Sequence, residues 1–133
     1  MDLAAPEGPP LATARRLFDR FARGGWEALG DVLDPCCEYT PSYANGVTLC
    51  GPEAIREWSA RRREEGLELE ARALDFEVRG NWVLVRGYLR GRENRVLAES
   101  QHYWVCQVRD DRIVSMAAFA RRDAALGAIA VAA

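Results

Sequence analysis

"LELEARALDFEVRGNWVLVRGYLR" occupies residues 67–90, and its periodicity decides what the chain folds into. Leu67, Leu69, Ala71 and Ala73 alternate with Glu68, Glu70 and Arg72, the period-two pattern of a strand with one wet face. Beyond Ala73 the phase reverses, and Leu74, Phe76 and Val78 carry the apolar side. That slip predicts a β-bulge between Ala73 and Leu74, and a bulge bends a sheet. Gly80-Asn81 then turns the chain into a second strand. Val83, Val85 and Leu89 lie on one of its faces, with Trp82, Leu84 and Tyr88 on the other.

Working outward, "GREN" (91–94) is a further turn and Arg95–Val108 the next strand. "RDDR" (109–112) makes the last hairpin, Ile113–Ala120 the last strand, and Asp123–Ile129 a short closing helix. Upstream, Ala14, Leu17, Phe18 and Phe21 stand at helical spacing within Thr13–Arg23, and Gly24-Gly25 stops that helix. Trp26, Leu29, Val32 and Leu33 predict a second short helix, ended by Asp34-Pro35. A brief extended piece, "CCEYTP" (36–41), and a loop with the turn signal Asn45-Gly46 follow. "GPEAIREW" (51–58) opens a third helix, with Pro52 in its first turn and Ile55 and Trp58 on one face. Helices first and a meander afterwards make an α+β domain, a curved antiparallel sheet with N-terminal helices packed across it. Such a bent sheet leaves a hollow between the layers, where pockets form.

The chain has 133 residues, enough for one compact core, and a formal net charge of −2. That charge provides no general attraction to nucleic acid or to anionic membranes. Arg61-Arg62-Arg63 is followed at once by Glu64-Glu65 and reads as a solvated helix face. "MDLAAPEGPP" (1–10) has neither a basic start nor an apolar run; it is expected to be a disordered leader before a single domain at 11–130. The tail "GAIAVAA" is too short to span a bilayer, and a cytoplasmic location is expected. Cys36 and Cys37 are adjacent while Cys50 and Cys106 are isolated, which is no disulfide framework. With no C-x-x-C pair and a single histidine, neither a metal nor another cofactor is expected.

That histidine is His102, inside the strand "ESQHYWVCQVRDDRIV" (99–114). Side chains alternate, so His102 shares a face with Ala98, Ser100, Trp104, Cys106 and Val108, the more apolar set. It therefore points toward the helices, where desolvation lowers its pKa. A buried histidine held by hydrogen bonds is the plain alternative to a functional one. Cys106 lies on the same face, but four residues of strand put it roughly 13 Å away, too far for a Cys–His dyad.

The order and spacing of "LFDRFARGGWEALGDVLDPCCEYTP" (17–41), "GPEAIREW" (51–58), "VRDDRIVSM" (108–116) and "RRDAALGA" (121–128) resemble the nuclear transport factor 2-like superfamily. More narrowly, the chain is similar to SnoaL-like, ketosteroid-isomerase-related proteins over about residues 11–130. The resemblance implies a cystatin-like conical barrel, in which a strongly curved sheet wraps helices around a deep apolar pocket. It also implies that His102 lines the pocket, because the related strand carries an oxyanion-binding acid near Trp104. The isomerase base is the Asp of an Asp-Pro pair, and here Thr40 precedes Pro41. Scytalone-dehydratase-like sites use two histidines, and limonene-epoxide-hydrolase-like sites an Asp–Arg–Asp set for which only Asp75 is mid-strand, facing away from the core.

Two functions follow as expectations. One is cofactor-free acid–base isomerisation, cyclisation or dehydration of a small hydrophobic molecule. His102 and Glu38 would be the catalytic residues; Tyr39, Thr40, Tyr43, Trp58 and Trp104 would line the substrate pocket. In a regular strand Glu38 would share the face of Thr40, and Tyr39 would point the other way. The second is a non-catalytic module that binds a ligand or associates as a dimer. Strands apolar on both faces predict a homodimer through the outer face of the sheet, an assembly common in the resembled family.

Overall fold

The computed structural model describes residues 8–41, 46–93 and 95–132. Helix α1 spans Gly8–Gly24, so it begins inside the stretch expected to be a disordered leader. Pro9 and Pro10 fit its first turn, where amide N–H groups have no intrahelical acceptor to lose. The second short helix expected after α1 takes the form of two 3₁₀ turns, Gly25–Ala28 and Gly30–Val32. Gly25 and Gly30 adopt φ of 65° and 51°, which interrupts a continuous α ladder. Leu33 consequently opens strand β1 (Leu33–Thr40), followed by β2 (Leu49–Cys50) and helix α2 (Pro52–Glu64). Strands β3 (Leu67–Arg79), β4 (Trp82–Glu93), β5 (Val96–Arg109) and β6 (Arg112–Phe119) precede the final helix α3 (Arg122–Ala132).

One six-stranded sheet runs in the order β2-β1-β6-β5-β4-β3. The meander is antiparallel as expected, but β1 pairs with β6 in parallel, which makes the sheet mixed. A parallel pair needs a long crossover; here everything between β1 and β6 supplies it. The register of β3 against β4 shifts between Ala73 and Asp75, where the periodicity slips. Directly opposite, a Cβ on Gly87 would stand 2.0 Å from the carbonyl oxygen of Arg72. Only glycine lets the two backbones approach this closely at the bend. Strand β6 ends at the Tyr103–Phe119 pair, so Val96–Gln101 of β5 overhang it and lie exposed.

Two apolar clusters sit on opposite faces of this sheet. The larger lies between the concave face and the helices, with Leu17, Phe18, Ile55, Val85, Trp104 and Met116 among its members. Helix α2 contributes a single buried side chain, Ile55. The second cluster packs Leu84, Val105 and Phe119 beneath Ala125 and Ile129 of α3. The chain's own last helix thus covers part of the outer apolar face on which a homodimer was expected, while Tyr88 stays exposed. Strands apolar on both sides need two covers, and α3 is the second. Among the described residues no helix is long and apolar enough to cross a membrane.

Candidate functional site

The site grows from aromatic side chains that five elements aim at the concave face. Phe18 and Phe21 stand three residues apart on α1 and so share one face of it. Phe18 meets Trp104 of β5 edge-on, with ring centroids 5.1 Å apart, and Phe21 meets Trp26 in the same way at 5.1 Å. Trp26 in turn packs on Tyr39 of β1 at 5.0 Å, and Tyr39 on Trp58 of α2 at 6.2 Å. Edge-to-face contacts of this kind add to the area they bury and fix the ring orientations. Between the rings lies a cavity of about 120 Å³. Leu17, Leu89 and Met116 complete its buried side, and Ala71 leaves room on the side of β3.

The far side is more open. There the wall is made by Ser59, Arg62 and Arg63 from the last turns of α2, and by Leu67 and Leu69 at the start of β3. Leu69 is exposed and Leu67 half-buried, so the mouth lies where α2 hands the chain to β3. The wall holds two arginines and no carboxylate. Burial pushes the Tyr39 phenol above its ordinary pKa, leaving it protonated and able to donate.

The sequence-expected residues divide. Tyr39, Trp58 and Trp104 all line the cavity. Glu38 does not: it is exposed, while Cys37 and Tyr39 on either side of it are buried. The sequence leaves the inward phase of Glu38-Tyr39-Thr40 open, and β1 turns Tyr39 inward and Glu38 outward. Pro35 and a register shift between Leu33 and Glu38 make the strand irregular, and burying a tyrosine ring costs far less than burying a carboxylate. Thr40, half-buried, bonds through its hydroxyl to that of Thr48, 3.0 Å away, and is no part of the wall. Tyr43 lies outside the described residues.

His102 faces the concave side beside Trp104, with ring centroids 5.2 Å apart and planes tilted by 53°. It sits one step along the strand beyond Trp104, opposite Gly87, and is not among the residues that line the cavity. Both of its ring nitrogens are buried without a hydrogen-bond partner among the described residues. Desolvation holds its pKa below the ordinary histidine value, so the ring is neutral at pH 7. Cys37 and Cys106 are deeply buried, and burial pushes the Cys37 thiol up to about 12. Such a thiol is unreactive.

Several wall residues escaped the sequence reading as site residues. Phe18 and Phe21 were legible as one apolar helix face; Trp26, Met116 and Arg62 reach the cavity only through tertiary packing. A broad groove of about 1030 Å³ also runs between α1 and β3. Its lining is strongly charged, and much of that charge is already engaged, Arg90 with Glu99 and Arg72 with Glu70. Arg15 lies over the Phe76 ring at 4.9 Å. The groove lacks the largely apolar, aromatic lining of the cavity.

Solved structures share this architecture. TerC co-crystallised with polyporic acid is 18% identical, with a TM-score of 0.76 over 88% of this chain and 95% of that one. A protein of Jannaschia sp. CCS1, proposed to be a SnoaL-like polyketide cyclase, is 20% identical with a TM-score of 0.73, covering 97% and 96%. A hypothetical protein from Catenulispora acidiphila DSM 44928 with a ketosteroid isomerase-like fold, in complex with trimethylamine, is 18% identical with a TM-score of 0.70, covering 86% and 89%. At these identities the likeness concerns the fold, which is nuclear transport factor 2-like, or cystatin-like. Among curated proteins no sequence matches the chain. The SnoaL-like domain model matches residues 14–116, from within α1 into β6 and most of the sequence, and the chain belongs to that family.

Proposed function

We propose that the chain binds a small, largely apolar molecule of about one aromatic ring in the cavity between α1, α2 and the sheet. The observation that carries this reading is the aromatic wall on the inner side of about 120 Å³ of space, open at one end. A cavity near 150 Å³ holds benzene, so a single ring is the matching scale. Fold relatives crystallised with polyporic acid and with trimethylamine support a small-molecule role. Among the described residues, the wall brings together no general base: Glu38 points to solvent and Tyr39 remains a phenol. Binding without acid–base turnover is therefore the reading preferred over isomerisation or cyclisation.

A catalytic reading has one observation in its favour. His102 keeps both ring nitrogens unpartnered beside Trp104, whose indole forms part of the wall. Cofactor-free proton transfer would fall to that imidazole. Its test is loss of turnover in His102→Ala once a substrate is known, by on the order of 100-fold.

The binding reading is tested by titrating the protein with one-ring aromatics and following tryptophan fluorescence, since Trp26, Trp58 and Trp104 all line the cavity. Saturable quenching and a raised melting temperature are expected. Ala71→Phe places a ring in the same space and should abolish both effects while the variant stays folded. Binding that survives Ala71→Phe would locate the ligand elsewhere.

A further inference from the structure

We infer that the ligand carries an anionic end, a carboxylate or acidic enol, which Arg62 receives at the mouth of the cavity. This rests on the binding reading above and names the chemical class it selects.

The argument starts from the asymmetry of the wall. The inner side is made of rings and aliphatic groups, while the charged groups at the opening, Arg62 and Arg63, are both cationic. Arg62 sits one helical turn after Trp58 on α2, and its guanidinium lies over the Trp58 ring, 6.0 Å from the centroid. That indole is itself part of the wall, so the cation is held against the edge of the cavity rather than swinging free in water. One of its terminal nitrogens bonds Glu65, 3.1 Å away. Its Nε is buried and has no hydrogen-bond partner among the described residues.

A buried N–H without an acceptor is costly, and native structures rarely leave one. An acceptor from a ligand in the cavity would satisfy it. Nη2, the nitrogen that would form a fork with Nε, is turned to Glu65, so Nε–H offers a ligand acceptor one directed, charge-assisted bond. The wall itself holds no carboxylate, and the Glu65 carboxylate, on Nη2, offsets only part of the charge that Arg62 and Arg63 bring to the opening. A molecule with an apolar ring inward and an acid outward fits both ends of the site. A neutral ring of the same shape fits only one.

The probes are 3-phenylpropanoate and its neutral amide, 3-phenylpropanamide, titrated into the whole protein at pH 7 by calorimetry and tryptophan fluorescence. The acid is expected to bind about tenfold more tightly than the amide, the value of one charge-assisted contact at a partly solvated site. Arg62→Gln should remove that preference, so that acid and amide bind equally. Arg62→Lys, which keeps the charge but loses the Nε–H, should retain only part of it. Arg61→Gln, an exposed charge outside the wall, should leave it intact. Unchanged melting temperatures establish that the variants are folded. Equal binding of acid and amide, or a preference that survives Arg62→Gln, overturns the assignment to Arg62 and leaves the cavity reading standing. If neither probe binds the native protein, the cavity reading fails, and this inference fails with it.

Discussion

Replacing Gly87 with alanine should destabilise the protein out of proportion to the single methyl group added. The added Cβ would lie 2.0 Å from Arg72 O, 2.9 Å from Arg72 C and 3.0 Å from Ala73 Cα. All three are backbone atoms at the bulge, so no rotamer change can relieve the overlap. Alanine would otherwise stabilise a strand slightly, by about 0.4–1 kcal/mol, because it narrows the unfolded ensemble. Forcing the β3–β4 pair apart is an overpacking strain of about 1–3 kcal/mol or more. The strain outweighs the gain, and a net loss of about 1–2 kcal/mol is expected. Gly91→Ala is the internal control on the same strand. There the nearest atom is Leu69 Cδ2 at 3.4 Å, the movable end of a half-open side chain, so stability should be unchanged or slightly raised. Urea denaturation of both variants, with equal m-values, reads the difference directly. If Gly87→Ala were as stable as Gly91→Ala, the close approach at the bend would be wrong, and with it the account of why the sheet curves.

Acid should weaken the fold in part through His102. Its folded-state pKa lies below the unfolded value of about 6.5, so the unfolded chain takes up a proton first as pH falls. The contribution is complete above that value and is lost as pH drops through the window down to the folded pKa. His102→Phe should flatten this part of the stability–pH curve, and an unchanged acid limb would remove desolvated His102 as its cause. Ala125→Arg should prise α3 from Leu84, Val105 and Phe119 and expose the outer face. Sedimentation velocity should then show concentration-dependent self-association well beyond that of the native chain, and an unaltered profile would mean the α3 contact is not what keeps that face covered.

The sheet was legible because its signals are local. Period-two alternation, the slip at Ala73–Leu74 and the turn pairs Gly80-Asn81 and Asp110-Asp111 each act over a few residues; the two aspartates adopt the positive φ that a tight hairpin requires. The parallel union of β1 with β6 has no such signature, because its partners are far apart in sequence. Strand β1 also shows how a site can be misread. Cys37 and Tyr39 alternate with Glu38 and Thr40, and hydrophobicity alone places the tyrosine inward. The expectation of a base at Glu38 ran against that pattern. Trp58 and Trp104 were found as aromatic residues on inward faces. Arg62 was hidden inside a run of charges that looks uniformly solvated, and only the packing of α2 over the cavity separates it from Arg61. The second face of the sheet announced itself correctly as apolar; what covers it depended on where α3 docks.

The cavity is bounded by walls of very different stiffness. Behind Trp104 and Met116 stands a sheet clamped between two apolar layers, whereas α2 is held by buried Ile55 and half-buried Trp58. Local opening is easiest where few buried contacts must be broken. Fluctuation of the binding space therefore belongs to α2, the element that also carries Trp58 and Arg62. Hydrogen exchange should release the amides of α2 well before those of β4 and β5, and slow exchange along α2 would contradict this. A ligand would then be accommodated by a helix that yields against a sheet that does not, and the size of molecule admitted would be set by how far α2 can tilt.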